Sequence, residues 1–186
     1  MNSALQCLAH TPQLTDYFLS RHFVHPYNPI LTRTTAGVFR QELNPDNPLG
    51  MRGEIAQSFG ALLQRIWSDA SQGTSYSPRE FKSVLSRFAP QFSGYQQHDT
   101  QEFVAFLLDG LHEDLNRVLK KPYVEKPDWN GGGDLELVKL ACSSWEGYMK
   151  RNDSVIVDLF QGQYKSTLVC PECNKVGVRL LPSVFD

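Results

Sequence analysis

The sequence predicts an α+β fold in which helices come first and strands last, and three observations carry that prediction. Apolar residues recur at intervals of three and four through Ile55, Phe59, Leu62, Leu63 and Ile66, and again through Phe103, Phe106, Leu107, Leu111, Leu115 and Val118. That is the period of a helix with one buried face. Helix-start chemistry stands ahead of such runs at Thr11-Pro12, at Ser77-Pro78-Arg79-Glu80, and at Asp99 with Glu102 three residues on. Near the end the pattern becomes the alternation Tyr164-Lys165-Ser166-Thr167-Leu168-Val169, rich in β-formers. A chain of 186 residues with 41% hydrophobic content can bury a sizeable core, which excludes global disorder. A net charge of −2 with no Lys/Arg run argues against nucleic acid or an anionic membrane as partner. No apolar run has the length of a membrane span, and the opening residues lack the basic-then-apolar order of a signal peptide, so the expected compartment is intracellular, cytoplasm or nucleus.

Taken in order, Met1, Leu5 and Leu8 share one helical face, and Thr11-Pro12 ends that helix and starts a second through Leu14, Tyr17 and Phe18. Prolines 26, 29, 45 and 48 break regular structure from His22 to Gly53, leaving room for one short element around Ala36 to Leu43. A helix over Gly53 to Ser68 follows. After the polar turn Ser71 to Thr74, Ser77 as N-cap, Pro78 at the first helical position and Glu80 at the third start a helix buried through Phe81, Val84, Leu85 and Phe88. The next helix opens at Asp99, runs to about Leu119, and turns Asp109, Glu113, Asp114 and Arg117 to solvent. Pro122, Pro127 and Gly131-Gly132-Gly133 mark residues 122–134 as a flexible connection or insertion stub. A helix from Leu135 to about Arg151 packs through Leu137, Leu140, Ala141 and Trp145, with Cys142 as a packed thiol. The apolar run Val155 to Phe160 fits a strand or a short buried helix equally. The division expected is 1–121, 122–134 and 135–186.

The four cysteines are a close pair, Cys170-Pro171-Glu172-Cys173, and two lone residues, Cys7 and Cys142. Two thiolates on a tight turn after a strand have the form of a zinc knuckle, but a structural zinc site takes four ligands, so Cys170 and Cys173 make half a site. A redox Cys-x-x-Cys needs its first cysteine at a helix N-terminus, and this pair ends a strand.

Three ordered stretches resemble the ubiquitin-specific proteases. Met1-Asn2-Ser3-Ala4-Leu5-Gln6 is similar to the segment that follows the family's nucleophile motif Gly-Asn-Thr-Cys-Tyr. The stretch from Gly94 through Tyr95-Gln96-Gln97-His98-Asp99-Thr100-Gln101-Glu102-Phe103 resembles its glutamine-rich box. Phe160-Gln161-Gly162 with Leu168-Val169-Cys170-Pro171-Glu172-Cys173 resembles the entry to its zinc-binding fingers. The resemblance implies a partial papain-like catalytic domain, a helical thumb plus the first β-strands of the fingers. It implies a thiol-dependent deubiquitinase that cleaves isopeptide or peptide bonds at the ubiquitin C-terminus, with ubiquitin and ubiquitinated proteins as partners. Gln97, Asp99 and Glu102 are then the residues that meet the arginine-rich ubiquitin tail.

The departures from the family pattern shape the functional expectation. The family's nucleophile lies two residues before the position matching Met1, and its histidine box lies downstream of anything matched here. Cys7 falls inside the first helix and does not replace the nucleophile. His10, His22, His25, His98 and His112 match no catalytic position. The second zinc cysteine pair is absent, and the ending from Val176 departs from the finger-strand pattern. An internal methionine start and such a tail imply a truncated chain, inactive alone. Nucleophile and base act as a unit, and losing one removes on the order of 10⁶ in rate in comparable peptidases. Two other classes compete with this reading: a non-catalytic ubiquitin- or partner-binding protein that reuses the thumb, and a helical scaffold with a zinc knuckle.

Overall fold

The structure, a computed structural model, describes residues 1–19, 38–68, 75–94 and 96–183. The expectations for residues 22–37, for the turn at 71–74 and for Tyr95 lie outside these. The described chain forms two compact units, Met1–Arg117 with Ser154–Leu159, and Val118–Asp153 with Phe160–Asp186. The break that the sequence put after residue 121 falls at Arg117, and Ser154–Leu159 joins the first unit.

The first unit is helical. Helices α1 (Asn2–Ala9) and α2 (Pro12–Leu19) follow the predicted break, and Thr11 stands at the N-cap position of α2 as expected, its carbonyl accepting from the Thr15 N–H at 2.9 Å. The Thr11 hydroxyl donates to the Cys7 carbonyl (3.1 Å), so it closes α1. The other carbonyls at that end are also taken. His10 Nδ1 lies 2.8 Å from the Gln6 carbonyl, and Thr15 Oγ1 and Trp67 Nε1 donate to Ala9 at 2.9 and 3.0 Å. A helix end with its orphan acceptors satisfied is fixed in place. The short α3 (Val38–Gln41) delivers Phe39 to the core.

Helix α4 (Glu54–Ile66) is the central element. Phe18, Phe39 and Phe59 interlock around it, with Phe18 centroids 5.1 Å from Phe39 and 5.2 Å from Phe59. Gly60 makes this possible, because a Cβ there would sit 2.9 Å from Phe39 Cζ and 3.2 Å from Phe18 Cδ1. Helix α5 (Arg79–Phe88) begins one residue later than the sequence indicates, with Pro78 rather than Ser77 at the N-cap. Pro78 (φ −79°, ψ 50°) forms an inverse γ-turn in which the Arg79 N–H donates to the Ser77 carbonyl at 2.8 Å. That turn, not a serine side chain, sets the entry. A 3-10 turn at Pro90–Phe92 then buries Phe92.

Helix α6 (Thr100–Asp114) is shorter than the predicted run to Leu119. Leu115 caps it, and carbonyls in its last turn and just beyond it are engaged from outside. The Asn44 N–H donates to Asp114 O (2.8 Å), Asn44 Nδ2 to Asn116 O (3.0 Å) and Asn47 Nδ2 to Glu113 O (2.9 Å). Residues 155–160 form helix α8 (Val155–Phe160), which resolves the strand-or-helix ambiguity. Its Val155, Ile156 and Val157 are buried. Ser154 Oγ accepts from the Val157 N–H (3.3 Å), an N-cap contact, and shares a 2.8 Å hydrogen bond with His112 Nδ1.

The second unit pairs one helix with one hairpin. Helix α7 (Asp134–Met149) has Gly133 at its N-cap, whose N–H donates to the Glu136 carboxylate (3.1 Å). The expected packed side is only partly packed. Leu140 is buried, whereas Leu137, Ala141 and Trp145 are half-buried and Leu135 and Val138 exposed. Cys142, expected as a packed thiol, is exposed. Strands β1 (Gly162–Val169) and β2 (Val176–Ser183) pair antiparallel from Gly162↔Ser183 to Val169↔Val176. Directly opposite residues share a face, so Gln163, Thr167 and Val178 fall on one side and Tyr164, Leu168 and Leu181 on the other. The first face meets α7, with Val178 buried and Gln163 Nε2 donating to Ala141 O (3.3 Å).

Candidate functional site

The residues singled out for substrate contact lie together at the entry to α6. Asp99 is the N-cap in extended backbone (φ −61°, ψ 126°), and its Oδ1 accepts from the N–H groups of Gln101 (2.8 Å) and Glu102 (3.4 Å). Gln97, Asp99 and Glu102 are all exposed. Beneath them Phe92 anchors the turn, with its ring 5.5 Å from Phe103 and edge-on to His98 at 5.4 Å. The result is a polar ridge on a rigid apolar footing. Its two carboxylates can accept from a cationic, extended segment while the backbone N–H groups hold Asp99 in one rotamer.

The metal candidates lie in the other unit, on the turn that joins β1 to β2. The turn is closed by backbone hydrogen bonds from Cys170 N to Lys175 O (3.0 Å) and from Asn174 N to Cys170 O (2.9 Å), with Asn174 at φ 54°. The left-handed asparagine lets the chain reverse within so few residues. The N–H groups of Cys173 and then Glu172, followed by the Cys173 side chain, hold the Cys170 thiol below its ordinary value. Amides aimed at a sulfur favour its thiolate, the form that binds metal. The pair fits half of a tetrahedral thiolate site. Among the described residues no three His, Cys, Asp or Glu side chains come together in a group that could hold an ion.

Sequence reasoning missed a polar centre within the first unit. Asp114, expected on the solvent face of α6, is fully buried. Its Oδ1 accepts from the N–H groups of Met51 (2.7 Å) and Gly53 (3.0 Å), and its Oδ2 from that of Ala56 (3.1 Å). Arg52 (φ 59°) and Gly53 (φ 76°) both take the left-handed conformation, which turns these amides inward as a nest at the start of α4. Asp114 therefore caps α4 from another helix. Burial raises its carboxyl above the usual 3.8, and the amide hydrogen bonds, Ala56 first, only partly offset this. A signal was present: Asp114 follows Phe103, Leu107 and Leu111 by helical intervals and so lies on the apolar stripe.

A second missed group surrounds Arg117. Its guanidinium reaches Glu42 (3.1 Å) and Asp158 (3.5 Å), whose side chains are 6% and 5% exposed, and Tyr17 donates its hydroxyl to the same Glu42 oxygen at 2.7 Å. These four residues come from separate parts of the chain. No local pattern links them.

A helical body with a capped glutamine-rich turn, followed by a strand pair joined through a Cys-x-x-Cys turn, has the architecture of the thumb and first finger strands of a ubiquitin-specific protease. The family model described as "Ubiquitin carboxyl-terminal hydrolase" matches residues 1–185, and the chain belongs to that family. It is 54% identical over 185 residues to ubiquitin carboxyl-terminal hydrolase 8 of Arabidopsis thaliana and 52% identical to ubiquitin carboxyl-terminal hydrolase 15 of Homo sapiens, in each case over 100% of this chain. The chain spans 19% and 17% of the length of these relatives. Among solved structures it is similar to the Ubp8-containing SAGA DUB module bound to monoubiquitin, with a TM-score of 0.58 and 16% identity, covering 99% of this chain and 31% of that one. That likeness establishes a shared fold. The family match also corrects the reading of the ending, because residues from Val176 lie within it and form β2.

Proposed function

We propose that this chain is the thumb and leading finger hairpin of a deubiquitinating cysteine peptidase acting on isopeptide or peptide bonds at the ubiquitin C-terminus. The match of the family model across residues 1–185 carries the reading. In it Gln97, Asp99 and Glu102 receive the basic tail of ubiquitin, ubiquitinated proteins are the substrates, and the setting is intracellular. Zinc is held in part by Cys170 and Cys173, where it orders the hairpin tip and takes no part in bond cleavage. The 186 residues hold no residue matching the family's nucleophile or histidine, and the isolated chain is inactive.

Two measurements test this. The purified chain should release no more from a ubiquitin C-terminal amide reporter than buffer does, and turnover abolished by Cys7→Ser would overturn the assignment of Cys7 as a bystander. A chimera in which residues 1–185 replace the matched segment of the Arabidopsis relative should hydrolyse the same reporter. A folded but inert chimera would instead favour a binding module. In that chimera Asp99→Asn separates the two uses of this side chain. An asparagine N-cap costs only a few tenths of a kcal/mol at most, so thermal stability should hold. A charge-assisted hydrogen bond is worth about 1.5–3 kcal/mol, so ubiquitin binding should weaken roughly tenfold or more. Lower stability with unchanged affinity would leave Asp99 a cap alone.

A further inference from the structure

We propose that Lys82 is a positioning residue for the glutamine-rich turn, which it fixes from helix α5 in the form that presents Gln97 and Asp99 to the ubiquitin tail, without itself touching the tail. The proposal rests on the reading of Gln97, Asp99 and Glu102 given above. The turn lies between two fixed ends, the 3-10 turn at Pro90–Phe92 and the Asp99 N-cap of α6. Between them, Gly94, Gln96, Gln97 and His98 make no backbone–backbone hydrogen bond among the described residues. His98 sets its ring edge-on to Phe92 at 5.4 Å, but its buried Nε2 has no hydrogen-bond partner among the described residues. What does reach the turn is Lys82, whose Nζ donates to the Gly94 carbonyl at 2.9 Å.

The donor stands on a firm base. Lys82 is half-buried and its neighbours Phe81 and Leu85 are buried in the core. Its own N–H donates to the Pro78 carbonyl (2.9 Å), and its carbonyl accepts from Ser86 Oγ (2.7 Å). A hydrogen bond from an ammonium is charge-assisted and stronger than a neutral one. A turn with no backbone ladder of its own would otherwise lose conformational freedom when an extended segment binds, and that loss lowers affinity; fixing the turn beforehand removes it. The charge of Lys82 separates this role from a purely electrostatic one. The ammonium lies against the turn that leads into the Asp99 and Glu102 carboxylates, so by electrostatics alone its removal would strengthen attraction for a basic tail. Loss of positioning acts in the opposite direction, and the sign of the effect tells the two apart.

The test uses Lys82→Met, which keeps the aliphatic stem and removes the donor. In the 186-residue chain this variant should speed amide hydrogen exchange at residues 96–98 while exchange in α4 and the melting temperature stay unchanged. Unaltered exchange at 96–98 would overturn the proposal. In the chimera described above, Lys82→Met should raise KM for the ubiquitin reporter about three- to tenfold, the range for one lost hydrogen bond, with kcat little changed. Lys82→Arg can still donate to Gly94 and should recover most of the loss. A KM that falls would make Lys82 a charge that merely opposes the tail. A rise in KM that comes with a lower melting temperature and is not recovered by arginine would make it a structural residue. Either result overturns the positioning role. Asp99→Asn, measured alongside, distinguishes the two levels of failure: if it raises KM and Lys82→Met does not, the tail reading stands and the role of Lys82 falls. If neither raises KM, or the folded chimera is inert toward the reporter, the tail reading fails and the proposal with it.

Discussion

Asp114→Ala is expected to lower the stability of the first unit by about 3–5 kcal/mol. Three amides, those of Met51, Gly53 and Ala56, lose their acceptor in a place where Asp114 is fully shielded from water. Each buried amide left unsatisfied costs roughly 1–3 kcal/mol, and the three share one nest, so the sum is less than additive. The N-terminus of α4 also loses the charge that complements its dipole. Urea midpoints measure the loss, and faster hydrogen exchange at those amides would locate it. Asp114→Asn should cost less, because one amide oxygen can still serve Met51 and Gly53 while its NH₂ group meets the Ala56 N–H.

The pH dependence follows from the direction of the carboxyl shift. Burial raises the folded-state value above 3.8, so this group's titration-linked stability is fully present below about pH 3.8 and declines as pH rises through the folded value. The stability gap between wild type and the non-titrating Asp114→Asn variant should therefore be widest on the acid side and narrow as pH rises. A gap that widens with pH would mean that the amide hydrogen bonds outweigh desolvation.

Arg117→Ala is expected to cost about 3 kcal/mol, within the range for removing one partner of a buried ion pair. Glu42 and Asp158, nearly buried, would each lose a cation. At about 2–4 °C per kcal/mol for a chain of this size, the melting temperature should fall by roughly 6–12 °C. Arg117→Lys should recover only part of this, because a single ammonium cannot reach two carboxylates as a planar fork does. Asp158 lies on α8, so the consequence should be local as well. Protease cleavage near residues 151–154 should accelerate in Arg117→Ala, and an unchanged cleavage rate would show that the apolar side of α8 holds it without the ion pair.

Helices α4, α5, α6 and α7 were legible because their signals are local, carried by apolar intervals and by N-cap residues such as Asp99. The Thr11 side chain and the Ser77 cap depart from the usual capping pattern for a reason equally local in origin, although Thr11 keeps its place before α2. A hydroxyl at a helix boundary has competing backbone partners, and in this fold Thr11 turned to the Cys7 carbonyl while a γ-turn at Pro78 took over from Ser77. A lone thiol is usually packed, which is the basis for expecting Cys142 inside, yet it is exposed. Whether it is packed depends on what lies over α7, and no intrahelical pattern encodes that.

By itself the sequence determined the order of helices and strands, the cap at Asp99, the Cys-x-x-Cys turn and the family, since each rests on residues within a few positions of one another. Tertiary structure alone decided that Asp114 caps α4 from across the core, that Arg117 joins Glu42 to Asp158, and that residues 154–159 complete the first unit rather than the second. Those contacts join residues tens of positions apart. An acidic residue on an apolar stripe, or a basic residue at a helix end, has no destination until the backbone amides and carboxylates that surround it have been brought into place by folding.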